Sequence, residues 1–485
     1  MRLKEQEHRK FKRRDRTFAF LVATNAIVEL EHVALAVLET IEGSPEGLGE
    51  DQIIEALDGR FPPGEVREAI GELVRMAILL PEEKMELWAD SAFPTAPPDV
   101  PITTLVLNVA QDCNMRCSYC FAVAGTYGKP AKKMAQQTAL NAADFLFKHS
   151  GKNKEVTLTF FGGEPLLNFD VIKATVRYAR QEAKKVGKLV DFSLTTNGTV
   201  LTEDKIQFLS DNRIGVTVSM DGPPEVHDKN RRLVGGQGSY RAVLPKALAL
   251  IRGHKTRPVG ARATLTRGIP DLRRCLFHLL DLGFHEVGFS PVTSSDANHY
   301  LSEADLDTLL NQFRELALLF RDWALEGRFL GFSNISNLVA ELYAGEVKRY
   351  PCGAGLGLLG VSSTGGLFLC HRLVENGEAF LGSLEKGIEH ERREQLLKGL
   401  HLGKKIECHR CWVRHLCAGG CYHEALERQG SLYKKNAHYC DWIRAWIEIG
   451  IGVYLDILES NPSFFEKFLA GRRVPATAFT GTLMR

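Results

Sequence analysis

Ten of the eleven cysteines in this 485-residue chain fall into two groups. Cys113, Cys117 and Cys120 lie within eight positions, and Cys352, Cys370, Cys408, Cys411, Cys417, Cys421 and Cys440 follow much later. Gaps of three and then two residues let one loop wrap three thiolates around three irons of a cubane, and thiolates are the usual ligands of such clusters. The fourth iron is then free to chelate a small molecule and pass it an electron. Zinc is the competing reading, but zinc sites typically space their cysteines in separated pairs. Cys408 to Cys421, taken alone, fit zinc as well as iron. The eleventh cysteine, Cys275, falls on the helical pattern Leu272, Cys275, Leu276, Leu279 and reads as a small buried apolar residue.

Three further motifs stand at the ends of strand-like runs, and Arg262 lies on the fifth run. Phe160-Phe161-Gly162-Gly163-Glu164-Pro165 has two glycines that allow close backbone approach, or that simply form a turn. Thr195-Thr196-Asn197-Gly198 and Ser219-Met220-Asp221-Gly222 present side-chain oxygens, which would also suit Asx-type turns. Arg262 could pair with an anionic ligand or with a core acid.

The pattern C-x-x-x-C-x-aromatic-C, with Tyr119 as the aromatic, resembles the signature loop of the radical SAM superfamily. That resemblance implies a [4Fe-4S] cluster on Cys113, Cys117 and Cys120, with S-adenosyl-L-methionine on its open iron. It also implies that Gly162, Gly163 and Glu164 meet the amino group of the methionine moiety, while Asn197, Ser219, Asp221 and Arg262 serve the ribose and carboxylate. The later spacing, C-x12-G-x4-C, then C-x2-C-x5-C-x3-C, then Cys440, resembles the SPASM extension of these enzymes, which implies two auxiliary [4Fe-4S] clusters and three in all. In the family's arrangement Cys408, Cys411, Cys417 and Cys440 hold one, and Cys352, Cys370 and Cys421 hold the other. The second set is one ligand short. Glu346, six residues before Cys352, and His371 are the candidates for a ligand or a catalytic group; the expectation is an open iron that takes a substrate cysteine.

Within that extension, Cys370-His371-Arg372 and the run Cys411 to Glu424 resemble peptide maturases that form thioether cross-links, in particular the maturation proteins of quinohemoprotein amine dehydrogenase. The implied activity joins a cysteine sulfur to side-chain carbons of acidic residues. The implied partners are a small cysteine-containing substrate, the dehydrogenase's small subunit, and an electron donor such as flavodoxin or ferredoxin. Sulfatase-maturing enzymes place an aspartate directly after the cysteine that matches Cys370, and His371 argues against that branch. Two alternatives stay open: a maturase of another peptide that makes a different cross-link or formylglycine, and a non-catalytic Fe-S or zinc scaffold.

The elements that must position these groups are legible as alternating apolar runs and amphipathic helices. Thr103 to Val109, Val156 to Phe161, Val190 to Thr195, Ile214 to Met220, Val259 to Leu265 and Glu286 to Ser290 read as six strands of a parallel sheet. The resemblance makes the fold class α/β, a partial (β/α)6 barrel over residues 102–300. A helical bridge (301–345), a SPASM domain (346–445) and a C-terminal helix and tail (446–485) follow. Ahead of it, residues 1–90 read as a winged-helix-like module of two strands, Thr17 to Val22 and Ala26 to Leu30, and three helices, with Glu65, Glu68 and Glu72 on the third. The module resembles leader- or partner-binding modules, and a Pro-rich linker (91–101) ends it.

A net charge of +2 predicts no general affinity for nucleic acid. The first sixteen residues carry eight Lys or Arg and read as a solvated tail, or as a contact for an acidic partner. No apolar run approaches a membrane span, and the cysteine usage suits the cytoplasm.

Overall fold

The computed structural model describes residues 2–5, 7–42, 44, 46–81 and 100–470. The linker at 91–101 lies almost wholly outside the described residues, as does the tail beyond 470.

The six expected strands form, as Thr104–Gln111, Glu155–Gly162, Leu189–Thr196, Gly215–Ser219, Gly260–Leu265 and Glu286–Pro291. Each pairs in parallel with the next, so their order in the sheet is their order in the chain. Parallel neighbours need a crossover, and amphipathic helices supply it. In the helix Phe169–Lys185, for example, Phe169, Ile172, Val176, Ala179 and Ala183 are buried, with Asp170 in the first turn and Lys184 and Lys185 in the last. Those charges complement the helix dipole. Cys275 lies in the helix Leu272–Asp281 and is buried, as its spacing predicts.

The sheet continues past the first strand. Leu358–Val361 pairs in parallel with Thr104–Gln111, and Gly366–Phe368, Phe380–Ser383 and Gly387–Ile388 extend it by antiparallel pairing. The Gly-rich segment around residues 353–366 therefore contributes core, with Leu359 and Val361 fully buried. Its glycines let it run close to its neighbours: a methyl on Gly360 would lie 2.5 Å from the Cys370 carbonyl carbon.

The N-terminal region departs from the sequence expectation. Its first sixteen residues are not a solvated tail, because Arg2–Glu5 and His8–Arg13 are strands. His8–Arg13 pairs with Arg16–Leu21, which pairs with Ile27–Leu30. The acidic partner of the basic run is the chain's own last long helix, Cys440–Ser460. Arg9 pairs with Glu448 at 2.9 Å, Arg16 with Glu459 at 2.8 Å, and Arg13 with the buried Asp456. The helices His32–Glu42, Glu50–Ala56 and Pro63–Arg75 close this module around their own apolar core.

Candidate functional site

The cysteine loop leaves the carboxyl end of the first strand and is laced to the segment 230–233. Arg116 N–H donates to the Arg232 carbonyl at 2.7 Å, and Ser118 N–H to the Asn230 carbonyl at 3.0 Å. The Ser118 hydroxyl reaches Asn230 Oδ1 at 2.8 Å. The two glycines of the Gly-Gly-Glu-Pro turn serve this loop directly. A methyl on Gly162, whose φ is +136°, would lie 2.3 Å from the Ala110 carbonyl oxygen, and one on Gly163 would lie 2.2 Å from that of Asp112. The glycines thus let the turn approach the end of the first strand, at Ala110, and the start of the cysteine loop, at Asp112 and Cys113.

Glu164 is fully buried and mostly satisfied by the chain. Its Oε1 accepts from Leu166 N–H at 3.0 Å and from the Thr196 hydroxyl at 2.8 Å, while Oε2 accepts from Asn197 N–H at 2.7 Å. Burial pushes this carboxyl up, and those hydrogen bonds oppose the shift. A carboxylate offers about four acceptor sites, so one remains for a ligand cation. Asn197 is likewise tied inward: its Nδ2 donates to Asn114 Oδ1 at 3.0 Å, and its Oδ1 accepts from Thr199 N–H at 2.9 Å, a local Asx-type bond. Ser219 ends the fourth strand opposite Arg262. Arg262 donates to the Ser290 hydroxyl at 2.7 Å rather than to a core acid.

One residue that sequence reasoning missed completes this end of the sheet. Arg231 is 6% exposed and donates through Nη1 to the Tyr119 hydroxyl at 2.7 Å, which itself donates to Asp221 Oδ2 at 2.8 Å. Asp221 Oδ1 accepts from Thr264 N–H at 3.0 Å. Burial raises the Asp221 carboxyl and Arg231 opposes it; the same guanidinium acts on Cys117 and Glu164. Asn230-Arg231-Arg232 reads as an ordinary polar turn, so nothing local marked it.

The later cysteines gather in two sets. Cys408, Cys411, Cys417 and Cys440 line one cavity. Cys352, Cys370 and Cys421 act on one another electrostatically, and burial pushes Cys352 up to about 11 and Cys370 to about 12. Cys113 is also pushed up to about 12 by burial, with Cys117 and Cys120 as neighbouring charges. Thiols held this way stay protonated unless a metal claims them, and thiolate ligation by iron supplies that positive charge. Among the described residues, no three His, Cys, Asp or Glu side chains gather as tightly as a single metal ion requires. A cubane asks for a wider nest, which these sets of three, three and four thiols fit by number and donor type.

Glu346 does not join the three-thiol set. Its backbone carbonyl accepts from Asn25, its Oε2 is buried without a partner, and the charges acting on it are Lys348 and Glu341. His371 lies where the barrel end and the auxiliary region meet. Its ring packs edge-on to Phe161 with centroids 4.6 Å apart, beside the Gly-Gly-Glu-Pro turn. His423 packs on Phe121 at 5.5 Å, and the Arg372 guanidinium lies 4.8 Å over the same ring. Arg372 also donates to the Thr293 hydroxyl at 2.9 Å. Burial pushes His371 down to about 4, so its imidazole is neutral at pH 7, and its Nδ1 has no hydrogen-bond partner. Phe121 and Phe161, beside the first cysteine loop and the Gly-Gly-Glu-Pro turn, thus pack directly against His423, Arg372 and His371 of the region that carries the three-thiol set.

A nest of three loop cysteines at the carboxyl ends of parallel strands defines a class. Residues 107–273 match the family model of the radical SAM superfamily. The chain is 26% identical over 337 residues to the cysteine-type anaerobic sulfatase-maturating enzyme of Clostridium novyi, covering 66% of this chain and 87% of that protein. To the serine-type anaerobic sulfatase-maturating enzyme of Bacteroides thetaiotaomicron it is 23% identical over 409 residues, 79% of this chain and 95% of that one. The fold resembles the solved structure of native anSMEcpe with bound AdoMet and Cp18Cys peptide, with a TM-score of 0.62 and 21% identity over 74% of this chain and 99% of that one. His371 therefore does not separate this chain from sulfatase-maturating enzymes, as the sequence argument expected it to. Among the described residues no helix is long and apolar enough to cross a membrane.

Proposed function

We propose that the protein is a maturase that modifies a peptide or protein substrate at the junction between the Cys113–Cys120 loop and the set of Cys352, Cys370 and Cys421. Similarity to two sulfatase-maturating enzymes over most of their lengths supports a substrate of that kind. The observation that carries the reading is the junction where Phe121 and Phe161, beside the first cysteine loop, pack against His423 and a neutral, buried His371 beside the three-thiol set.

Cys113, Cys117 and Cys120 would hold the [4Fe-4S] cluster, with Cys408, Cys411, Cys417 and Cys440 holding one auxiliary cluster and Cys352, Cys370 and Cys421 the other. When bound, the first cluster supplies reductive cleavage of S-adenosyl-L-methionine and the auxiliary pair supplies electron acceptance. The chain's part is positional. Arg231 keeps a fixed positive charge beside Cys117, Asp221 and Glu164. The packed rings of Phe121 and Phe161 would keep water from this junction, which matters because a carbon radical reacts with whatever C–H bond it meets. His371, the neutral base, accepts the proton that the substrate gives up, and Arg372 neutralises a substrate carboxylate.

In its finer form the proposal is thioether formation, a cysteine sulfur joined to a carbon beside an acidic side chain, with the small subunit of a quinohemoprotein amine dehydrogenase as substrate. One feature supports it: a thiol set with one place left for a substrate cysteine. The test is anaerobic incubation with that small subunit and with a cysteine-type sulfatase peptide, read by mass spectrometry and thiol alkylation. A thioether removes two hydrogens and one alkylatable thiol. Formylglycine from the sulfatase peptide, with the small subunit unchanged, sinks the finer form; deoxyadenosine without modification of either peptide sinks this choice of substrates.

A further inference from the structure

One positive charge is buried between the two later cysteine groups with nothing opposite it. Lys405 is 2% exposed, and its Nζ has no hydrogen-bond partner among the described residues. The backbone fixes its place: Lys405 N–H donates to the Leu402 carbonyl at 2.9 Å, and the Lys405 carbonyl accepts from Cys408 N–H at 2.8 Å. Its stem fills a slot that a glycine leaves open. A methyl on Gly419, whose φ is +83°, would lie 2.5 Å from Lys405 Cδ and 2.6 Å from Nζ. Gly419 itself stands between Cys417 and Cys421, one from each group. On the other side the ammonium lies 5.3 Å from the ring centre of Tyr422.

The thiols that act on Lys405 are Cys408 and Cys417 from the four-thiol set and Cys421 and Cys352 from the three-thiol set. An ammonium withdrawn from water costs several kcal/mol unless an opposite charge compensates it. Among the described residues no carboxylate pairs with this one. Thiolate-ligated iron clusters are net anions, and two of them flanking Lys405 would provide the missing charge.

We propose that Lys405 is a positioning residue for electron acceptance, a single cation shared by both auxiliary clusters that stabilises the reduced, more negative form of each. One electron leaves the substrate radical as its new bond forms, and one electron enters the auxiliary pair. Lys405 keeps its proton throughout. Its charge biases both clusters toward reduction and couples them, since an electron on either one draws on the same ammonium.

The inference rests on the two-cluster reading above, and iron counting separates the two. Wild type, Lys405→Met and Lys405→Arg are reconstituted anaerobically, their iron is measured, and their clusters are titrated against potential by electron paramagnetic resonance. In Lys405→Met the reduced-to-oxidised ratio at a fixed potential should fall about tenfold for both auxiliary signals, a negative shift of about 59 mV for a one-electron couple. The signal of the Cys113, Cys117 and Cys120 cluster should not move, and Lys405→Arg should keep both auxiliary potentials near wild type. Unchanged auxiliary potentials in a fully loaded Lys405→Met protein overturn the assignment. If the Met variant loses iron while the Arg variant loads fully, the charge is needed to assemble the pair, which supports it; iron loss in both marks a steric role and overturns it. A wild-type chain that holds only about four irons overturns the two-cluster reading itself.

Discussion

Gly163→Ala would place a methyl carbon 2.2 Å from the Asp112 carbonyl oxygen, 2.7 Å from the carbonyl carbon and 2.9 Å from Cys113 Cβ. Two of these neighbours are backbone, so no side chain can swing away. Ordinary contact begins near 3.4 Å, so the cysteine loop or the turn must retreat by about 1 Å. That movement displaces Cys113 and Glu164 together, because Glu164 N–H donates to the Asp112 carbonyl at 2.9 Å. A misplacement of about 1 Å costs a reacting geometry roughly a hundredfold in rate. The expected result is 5′-deoxyadenosine formation slowed about a hundredfold, with iron content unchanged and an altered paramagnetic signal on adding S-adenosyl-L-methionine. A Gly163→Ala protein that forms deoxyadenosine at the wild-type rate would refute the claim that this glycine sets the approach of turn to loop. Gly128→Ala is the matched control, since no atom lies within 4 Å of its added methyl, although its φ of +73° carries some strain of its own.

Arg231→Met leaves Asp221 and Glu164 buried without their shared cation, and removing one partner of a buried pair costs about 3–5 kcal/mol; denaturant unfolding should show a loss of that size. The buried His227, held neutral by desolvation with its pKa pushed down to about 3, gives stability that is present above about pH 6.5 and is lost as pH falls toward 3, because the unfolded chain binds the proton first. In His227→Gln, unfolding curves between those limits should show a shallower dependence on pH. Anaerobically reconstituted wild type should bind about twelve irons, and the variant with Cys113, Cys117 and Cys120 all changed to alanine should lose about four of them and all deoxyadenosine formation.

The cysteine spacings and the six strand runs were legible in the sequence because each is a local pattern. A loop ligand set needs only short gaps, and a strand buried on both faces writes itself as a continuous apolar run. Cys275 and the helix after the second strand were legible for the same reason. What the tertiary structure decided is every pairing between distant segments. The basic N-terminal run reads as solvated because nothing nearby offsets it, yet its acidic partners lie 443 residues away in the Arg13–Asp456 and Arg16–Glu459 pairs. Arg231 looks like any polar turn residue until the fold brings it to Tyr119, 112 positions earlier. Glu346, chosen by its offset from Cys352, has Lys348 and Glu341 as the charges acting on it. Burial and charge compensation belong to the packed molecule: a lysine such as Lys405 carries no mark in the sequence until two interleaved cysteine groups, spread from Cys352 to Cys440, close around it.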